Sequence, residues 1–277
     1  MNISFCRAMI ESMKGERAMF GMPSMIELST VEEAVALCKE LGLSFLELNT
    51  NFPQQQLHLL DPVELKQLAD DAGIFYTIHL NDELYVAEFN PHVAKGYCDS
   101  VMDAIDFAKK IGAQKLNMHL SGGAYYTMPD RRIHFYDAFE ADYLKGMTHF
   151  RDLCTQAIGD APIRICVENT NGYLPFQRKA LEILLQSPVF GLTLDIGHNC
   201  CAGNADESWI LSHADRLLHL HLHDVADCKN DHLPFGHGDL ELDKYLAMAN
   251  TRTAVVEVKT IAGLRQSIAW LDEEVTI

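Results

Sequence analysis

The chain has 277 residues, of which 48% are hydrophobic, and its formal net charge at pH 7 is −17. The length is close to the roughly 250 residues of one eight-stranded β/α barrel, and the apolar fraction is enough for a large buried core. Lys and Arg number 22 against 39 Asp and Glu, so the overall field repels nucleic acid and anionic lipid, and we expect neither as a partner.

The chain shows no sign of targeting. No stretch approaches the roughly 20 consecutive apolar residues of a membrane-spanning helix, and the opening segment MNISFCRAMIESMKGER lacks the apolar run of a signal peptide. We therefore expect a cytoplasmic protein. Its eight cysteines have no CxxC spacing, so we expect reduced thiols, with Cys200 and Cys201 as the alternative case of soft metal ligands.

Short β-type runs alternate with longer segments of helical periodicity, which predicts βαβ units on a parallel sheet. Helices are expected between the strands, for instance at 31–41, 61–72 and 93–112. The second of these has Asp61 as N-cap, Pro62 at its first position and Gly73 after its end. Eight strands are predicted, at 2–6, 43–49, 74–80, 115–120, 163–169, 189–195, 217–223 and 253–258.

Eight such units account for the whole chain. We therefore predict that residues 1–277 form a single α/β domain, a (β/α)₈ TIM barrel, and we keep an open doubly wound sheet as the alternative. In β/α barrels the active site is assembled from side chains at the C-terminal ends of several strands. Those strand ends are consequently the place to look for chemistry.

Polar residues mark the C-terminal ends of six consecutive predicted strands. Each can be explained individually as a hydrogen-bonded structural residue, but three carboxylates in one barrel mouth would repel one another unless a cation neutralised them. Together with imidazole they suit Zn²⁺ or Mn²⁺, with Fe²⁺, Co²⁺ or Mg²⁺ as further candidates. The residues are His79, His119, Glu168, Asp195, His221 or His223, and Glu257.

Side-chain alternation on the seventh predicted strand puts three histidines on one face. His219, His221 and His223 share the inward face, while the leucines between them point outward. His219 would lie deepest and is interpreted as a packing residue or as a partner of a ligand. Both His221 and His223 remain candidate ligands.

Two loops contribute further histidines. His198 follows Asp195 by three residues, so both can reach one site from a strand end and its turn. His232 lies beside Asp231 in the segment DHLPFGHG, whose glycines permit a close backbone approach. These loop histidines enlarge the predicted ligand set.

At these residues the chain resembles the xylose isomerase-like barrel superfamily, which contains sugar and sugar-phosphate isomerases and epimerases together with endonuclease IV. The likeness extends over nearly the whole chain. The matching pieces are IHLND around His79, LNMHLSGG around His119, VENTNG from Val167, LDIGH from Leu194, LHLHD around His221, DHLPFGHG around His232 and VVEVK around Glu257.

The resemblance to the epimerases implies one divalent metal held by Glu, Asp, His and Glu from four strands. Those positions correspond here to Glu168, Asp195, His221 and Glu257. The same resemblance implies that Glu168 and Glu257 act as the acid/base pair on opposite faces of the substrate.

The resemblance to endonuclease IV implies up to three zinc ions, with His79, His119, His198 and His232 as the additional ligands. Two local departures count against a third ion. Where endonuclease IV typically has an Asp-Thr-Cys-His run, this chain has Asp195-Ile196-Gly197-His198. A carboxylate is expected two residues before His232, but Asn230 occupies that position and Asp231 is adjacent to it.

The preferred hypothesis is a metal-dependent sugar or sugar-phosphate isomerase or epimerase that moves a proton on a metal-bound open-chain sugar. The alternatives are a multinuclear zinc phosphoesterase resembling endonuclease IV, a non-catalytic metal-binding sensor or scaffold, and another lyase or dehydratase on this fold. Barrel enzymes of this kind often dimerise, so a homodimer is also expected. Candidate substrate-binding residues are Glu47, Asn49, His198, His223 and Lys259.

Overall fold

A computed structural model describes residues 19–276. Within that range, eight parallel strands form a closed barrel, because the first strand pairs with both the second and the eighth. The predicted (β/α)₈ TIM barrel is therefore confirmed. In chain order the barrel strands are Met19–Pro23, Phe45–Asn49, Phe75–His79, Lys115–His119, Arg164–Glu168, Phe190–Asp195, Leu217–Leu222 and Thr253–Val256.

Helices surround the barrel. The helix expected at 61–72 begins after Asp61, whose side chain accepts hydrogen bonds from the backbone N–H groups of Val63 and Glu64. The other two helices expected from the sequence are also present. The helices of the described range are Val31–Glu40, Pro62–Ala72, Pro91–Ile111, Phe135–Ala138, Glu140–Ile158, Pro175–Leu184, Ile196–Cys201, Glu207–Ser212, Leu242–Ala249 and Ile261–Thr276, with 3₁₀ turns at Pro53–Gln55 and Leu57–Leu59.

The first barrel strand was predicted wrongly. The predicted strand 2–6 lies outside the described residues, and Met19–Pro23 occupies the first place in the barrel instead. That strand contains Gly21 and Pro23, residue types that weaken a β signal in sequence. Gly21 is required there, because a Cβ would overlap the ring of Phe45 on the neighbouring strand. The other seven predicted strands are confirmed, with ends that agree within two residues.

Strand register stacks the inward polar side chains in two levels. In the deeper level, Thr253 is paired with His219, which in turn is paired with Thr193. One step nearer the C-terminal ends, His119 is paired with Glu168 on the next strand, and Asp195 is paired with His221. The upper level therefore gathers the side chains that the sequence marked as strand ends.

Two antiparallel hairpins lie outside the barrel and were not predicted. The first pairs Tyr125–Thr127 with Arg132–His134 and follows the fourth barrel strand. The second pairs Asp224–Ala226 with Asn230–Leu233 and follows the seventh strand. The second hairpin carries His232, one of the candidate ligands.

One pair of cysteines departs from the expectation of reduced thiols. Cys200 and Cys228 form a disulfide with Cα atoms 5.4 Å apart, so Cys200 is not available as a thiolate metal ligand. The bond ties the end of the helix that follows Asp195 to the turn of the second hairpin. No local pattern indicates this bond, since 28 positions separate the two cysteines. Cys201, the other cysteine considered as a ligand, is a free and exposed thiol.

Among the described helices, none combines the length and the apolar character that a bilayer crossing demands.

Candidate metal centre

Four side chains from four successive strands converge at the C-terminal mouth of the barrel. One ligand atom from each lies within 4.8 Å of the ligand atoms of the others. Three of the four residues are buried, and the Glu257 side chain is 12% exposed. Glu257 follows the eighth strand directly, and its backbone N–H donates to the carbonyl of Leu222 at 2.8 Å. The four residues are Glu168, Asp195, His221 and Glu257.

The His221 ring spans the space between this cluster and the deeper level of the barrel. Its Nδ1 lies 2.8 Å from Oε2 of Glu257 and 3.4 Å from Oε1 of Glu168. Its Nε2 lies 3.2 Å from Oε1 of Glu47, which accepts a hydrogen bond from Thr77 through its other oxygen. A carboxylate behind an imidazole orients the ring and strengthens the opposite nitrogen as a ligand.

The carboxylates and the imidazole of the cluster shift one another's pKa values. Burial by itself raises the pKa of Glu168 and of Glu257, but the charge of His221 and the neighbouring histidines together outweigh it and hold the pKa of both carboxyls well below the usual value. Burial lowers the pKa of His221, yet Glu168, Glu257 and Glu47 together raise it well above the usual value. Protonated imidazole thus supplies the positive charge beside these carboxylates that a bound divalent cation would supply.

Several buried ligand atoms lie near charged side chains without making a well-formed hydrogen bond, and this fits a metal ion. Within residues 19–276 these atoms are both ring nitrogens of His221, His198 Nδ1, His232 Nε2 and Glu257 Oε2. Buried polar groups without partners are uncommon and call for an explanation. Imidazole nitrogens and carboxylate oxygens converging on one space are the ligands that Zn²⁺ and Mn²⁺ take.

A second set of donors lies on the other side of Glu168. The Nε2 atoms of His79 and His119 are 3.5 Å and 3.4 Å from Oε2 of Glu168, while Oε1 of the same carboxylate faces His221. His79 Nδ1 lies 2.8 Å from the carbonyl of Leu80, which fixes Nε2 as its free nitrogen. The two oxygens of Glu168 therefore face separate groups of imidazole donors.

The third group of histidines is a poorer donor set. His198, His223 and His232 offer ligand atoms within 4.8 Å of one another. However, both ring nitrogens of His223 are engaged, one with Asp195 and the other with the backbone of His232. His232 Nδ1 lies 3.0 Å from Oδ1 of Asp231, the residue next to the position where a ligating carboxylate was expected.

The candidate substrate-binding residues differ in how deeply they lie in the barrel. Glu47 is buried beneath His221, and His223 is buried behind Asp195. Asn49 lies nearer the surface, where its side chain accepts a hydrogen bond from the backbone N–H of Asn51. Lys259 is close to the cluster, with Nζ 2.8 Å from Oε1 of Glu257.

Sequence reasoning missed the residues that hold these ligands. The Asn117 side chain donates to Oε2 of Glu168 and accepts from Thr193 at 2.6 Å. Asn169 bonds both the N–H and the carbonyl of Asp195, each at 2.9 Å. Side-chain alternation would have found Asn117, which lies two residues before His119 on the same face of the strand.

Solved structures of several proteins share this architecture. A D-tagatose 3-epimerase-like protein superposes with a TM-score of 0.74 at 21% identity, covering 93% of this chain and 97% of the other. The 3-keto-D-glucoside 4-epimerase YcjR from E. coli gives 0.72 at 14% identity, covering 93% and 100%. The IOLI protein with a bound zinc atom gives 0.69 at 13% identity, covering 93% and 96%. These likenesses establish the fold.

Sequence comparison gives the family. An uncharacterized protein of Methanocaldococcus jannaschii, MJ1614, is 24% identical over 186 residues, which cover 65% of this chain and 67% of that protein. The family profile described as xylose isomerase-like TIM barrel matches residues 35–274. Most of the chain is thereby accounted for, and the protein belongs to the xylose isomerase-like TIM barrel family.

Proposed function

We propose that the protein is a divalent-metal-dependent isomerase or epimerase of small sugars. One observation carries the proposal: the glutamates Glu168 and Glu257 both approach Nδ1 of His221 and come from strands on either side of those bearing Asp195 and His221. Two carboxylates that flank a cation position can remove a proton from one carbon and return it.

The metal would be held by Glu168, Asp195, His221 and Glu257. When bound, a divalent ion would supply Lewis-acid polarisation of a sugar carbonyl and its adjacent hydroxyl, which acidifies the C–H of the hydroxyl-bearing carbon. Glu47 would keep the His221 ring in place through Nε2, and Asn117 would hold Glu168 by donating to Oε2.

The two glutamates differ in what surrounds them. Glu168 is 1% exposed and has His79, His119, His198 and Asn117 around its oxygens, so it is the more firmly held of the two. Glu257 is 12% exposed and has Lys259 beside Oε1. Proton transfer requires the carboxylate to shift between its neighbours and the substrate carbon. We therefore assign the larger side-chain movement to Glu257, and Lys259 would balance the charge of Glu257 when its carboxylate is unprotonated.

The structural neighbours agree with this class of substrate. One resembles a D-tagatose 3-epimerase, and another is a 3-keto-D-glucoside 4-epimerase. Both names point to small sugars, and the zinc atom in the IOLI protein supports a divalent metal on this fold. Among the residues of the described site, Lys259 is the sole Lys or Arg beside the cluster, so we favour an uncharged sugar as the first compound to test.

The test combines metal analysis with solvent exchange. Protein purified without chelator should contain about one Mn, Co or Zn per chain under the single-site mechanism. Incubation of the loaded protein with a panel of ketoses and aldoses in D₂O should place deuterium on a carbon next to a carbonyl. Metal-loaded protein that exchanges no deuterium into any ketose or aldose of the panel would contradict the proposed function.

A second candidate function is supported by His79 and His119. Their Nε2 atoms share Oε2 of Glu168, and a bridging carboxylate of this kind serves two-metal phosphoesterases. The charge of −17 argues against nucleic acid as the substrate. We therefore keep phosphodiester hydrolysis as the alternative, to be favoured if two or three tightly held zinc ions are found.

We expect His119→Ala to lower the bound metal count by one if the His79 side of Glu168 holds an ion. The substitution removes one of the two imidazoles beside Oε2 of Glu168 and replaces none of the residues of the four-residue cluster. Elemental analysis of the dialysed variant beside the unaltered protein measures this. An unchanged count would mean that His119 contacts substrate or supports Glu168 rather than binding metal.

A further inference from the structure

The His223 ring occupies a tightly bounded place behind Asp195. The residue follows the seventh barrel strand and is completely buried. One side of its ring lies against Gly197, where a Cβ would overlap the imidazole. The His232 ring stacks on it with centroids 4.1 Å apart and planes 5° apart. The ring therefore has little freedom to move, and position 197 has no room for a side chain.

The backbone fixes which ring nitrogen of His223 carries the proton. The N–H of His232 lies 2.8 Å from Nδ1 of His223. A backbone N–H can only donate, so Nδ1 is the acceptor and Nε2 carries the proton of the neutral ring. Nε2 lies 3.0 Å and 3.2 Å from the two carboxylate oxygens of Asp195, to which it donates.

This arrangement leaves His223 no lone pair for a metal ion or for a substrate hydroxyl. The contrast with His221 is direct, because Nδ1 of His221 faces the carboxylates of the cluster, 2.8 Å from Oε2 of Glu257, and accepts no backbone hydrogen bond within the described residues. Of the two histidines left open by the sequence, His221 has the geometry of a ligand and His223 does not.

The hydrogen bond from His223 restrains Asp195. Oδ1 of Asp195 also accepts the backbone N–H of His198 at 2.7 Å. Two donors converge on this oxygen, so the carboxylate cannot rotate without losing one of them. Asp195 is itself a member of the four-residue cluster at the barrel mouth.

We infer that His223 is a positioning residue that fixes Asp195 for metal binding and binds neither metal nor sugar itself. The inference rests on the proposed function, since it takes Asp195 as a metal ligand. Residues that orient a metal ligand from behind change metal affinity by about 10- to 100-fold when removed.

A matched pair of variants separates the hydrogen bond from the bulk of the ring. His223→Gln keeps an N–H donor near the place of Nε2, whereas His223→Leu fills space and donates nothing. We expect zinc affinity, measured by competition with a chromophoric chelator, to fall about 10- to 100-fold in His223→Leu and to stay within about 5-fold in His223→Gln. His149→Leu, at an exposed helical position, is the control and should leave the affinity unchanged.

A spectroscopic measurement on the unaltered protein tests the same inference and does not depend on whether the variants fold. With ¹⁵N-labelled histidine, His223 should show a protonated Nε2 and an unprotonated Nδ1. After loading with ¹¹³Cd²⁺, a metal–nitrogen coupling is expected at His221 and none at His223.

The outcomes distinguish this inference from the proposed function. Unaltered protein that binds no divalent metal overturns both. If it binds metal and His223→Leu binds as tightly, or if ¹¹³Cd couples to His223, the positioning role is overturned while the proposed function stands. A rise in KM for an identified sugar with unchanged metal affinity would make His223 a substrate-binding residue instead.

Discussion

Glu257→Gln is expected to lower kcat for isomerisation or epimerisation by about 10²- to 10⁴-fold while the protein stays folded. The substitution keeps the size of the side chain and removes the carboxylate that accepts the proton. Unfolding is not expected, because the side chain is partly exposed and its neighbour Lys259 reaches solvent. The measurement is kcat and KM on the best sugar of the panel, with metal content determined on the same sample.

Metal content is essential to interpreting that variant. Glu168, Asp195 and His221 remain in Glu257→Gln, so an ion can still be held with three protein ligands. If the variant binds metal and retains more than a tenth of the original kcat, Glu257 is a ligand without an acid/base role. Glu64→Gln, at an exposed helical position, controls for the loss of a negative charge.

Strands and candidate ligands could be predicted from the sequence where an apolar β-type run ended in a polar residue. Glu168 and Asp195, together with either His221 or His223, were expected at one place because each lies at the end of an apolar strand, and their meeting follows from the geometry of a closed parallel barrel. Helix Pro62–Ala72 was located by its cap and its proline.

Features that depend on tertiary contacts were not predictable. In strand Met19–Pro23, Gly21 leaves room for the ring of Phe45, and no local pattern expresses that contact. The Cys200–Cys228 disulfide depends on where the second hairpin folds back. The hydrogen bond that occupies Nδ1 of His223 comes from the backbone N–H of His232, which lies nine positions further on.

Metal-free protein is expected to lose thermal stability as the pH rises from 6.5 to 9.5. Burial lowers the pKa of His79, but the hydrogen bond and charge of Glu168 outweigh it and raise that pKa to about 9. Burial likewise lowers the pKa of His198, and Asp195 with Glu168 raises it to about 10. Both rings thus hold protons in the folded state that they release in the unfolded state above pH 6.5.

The sign follows from proton linkage. A group whose pKa is raised by folding contributes its full stabilisation below the unfolded pKa and loses it as the pH climbs through the folded pKa. For His79 and His198 together we expect a loss of about 2–5 kcal/mol in the free energy of unfolding, seen as a fall in Tm of about 5–15 °C. The measurement is thermal unfolding by circular dichroism at steps of pH after dialysis against EDTA and then chelator-free buffer.

Loading with metal should flatten this dependence, because a bound ion displaces the imidazole protons and takes over their role beside Glu168 and Asp195. His198→Gln removes one of the two titrating rings, so the metal-free variant should show a shallower fall in Tm than the unaltered protein. A metal-free Tm that is constant or rises over this range would mean that the carboxylates are neutralised in some way other than by His79 and His198. The same titration therefore tests whether protons on histidine balance the charge of the carboxylates at the barrel mouth, and whether a metal ion replaces those protons.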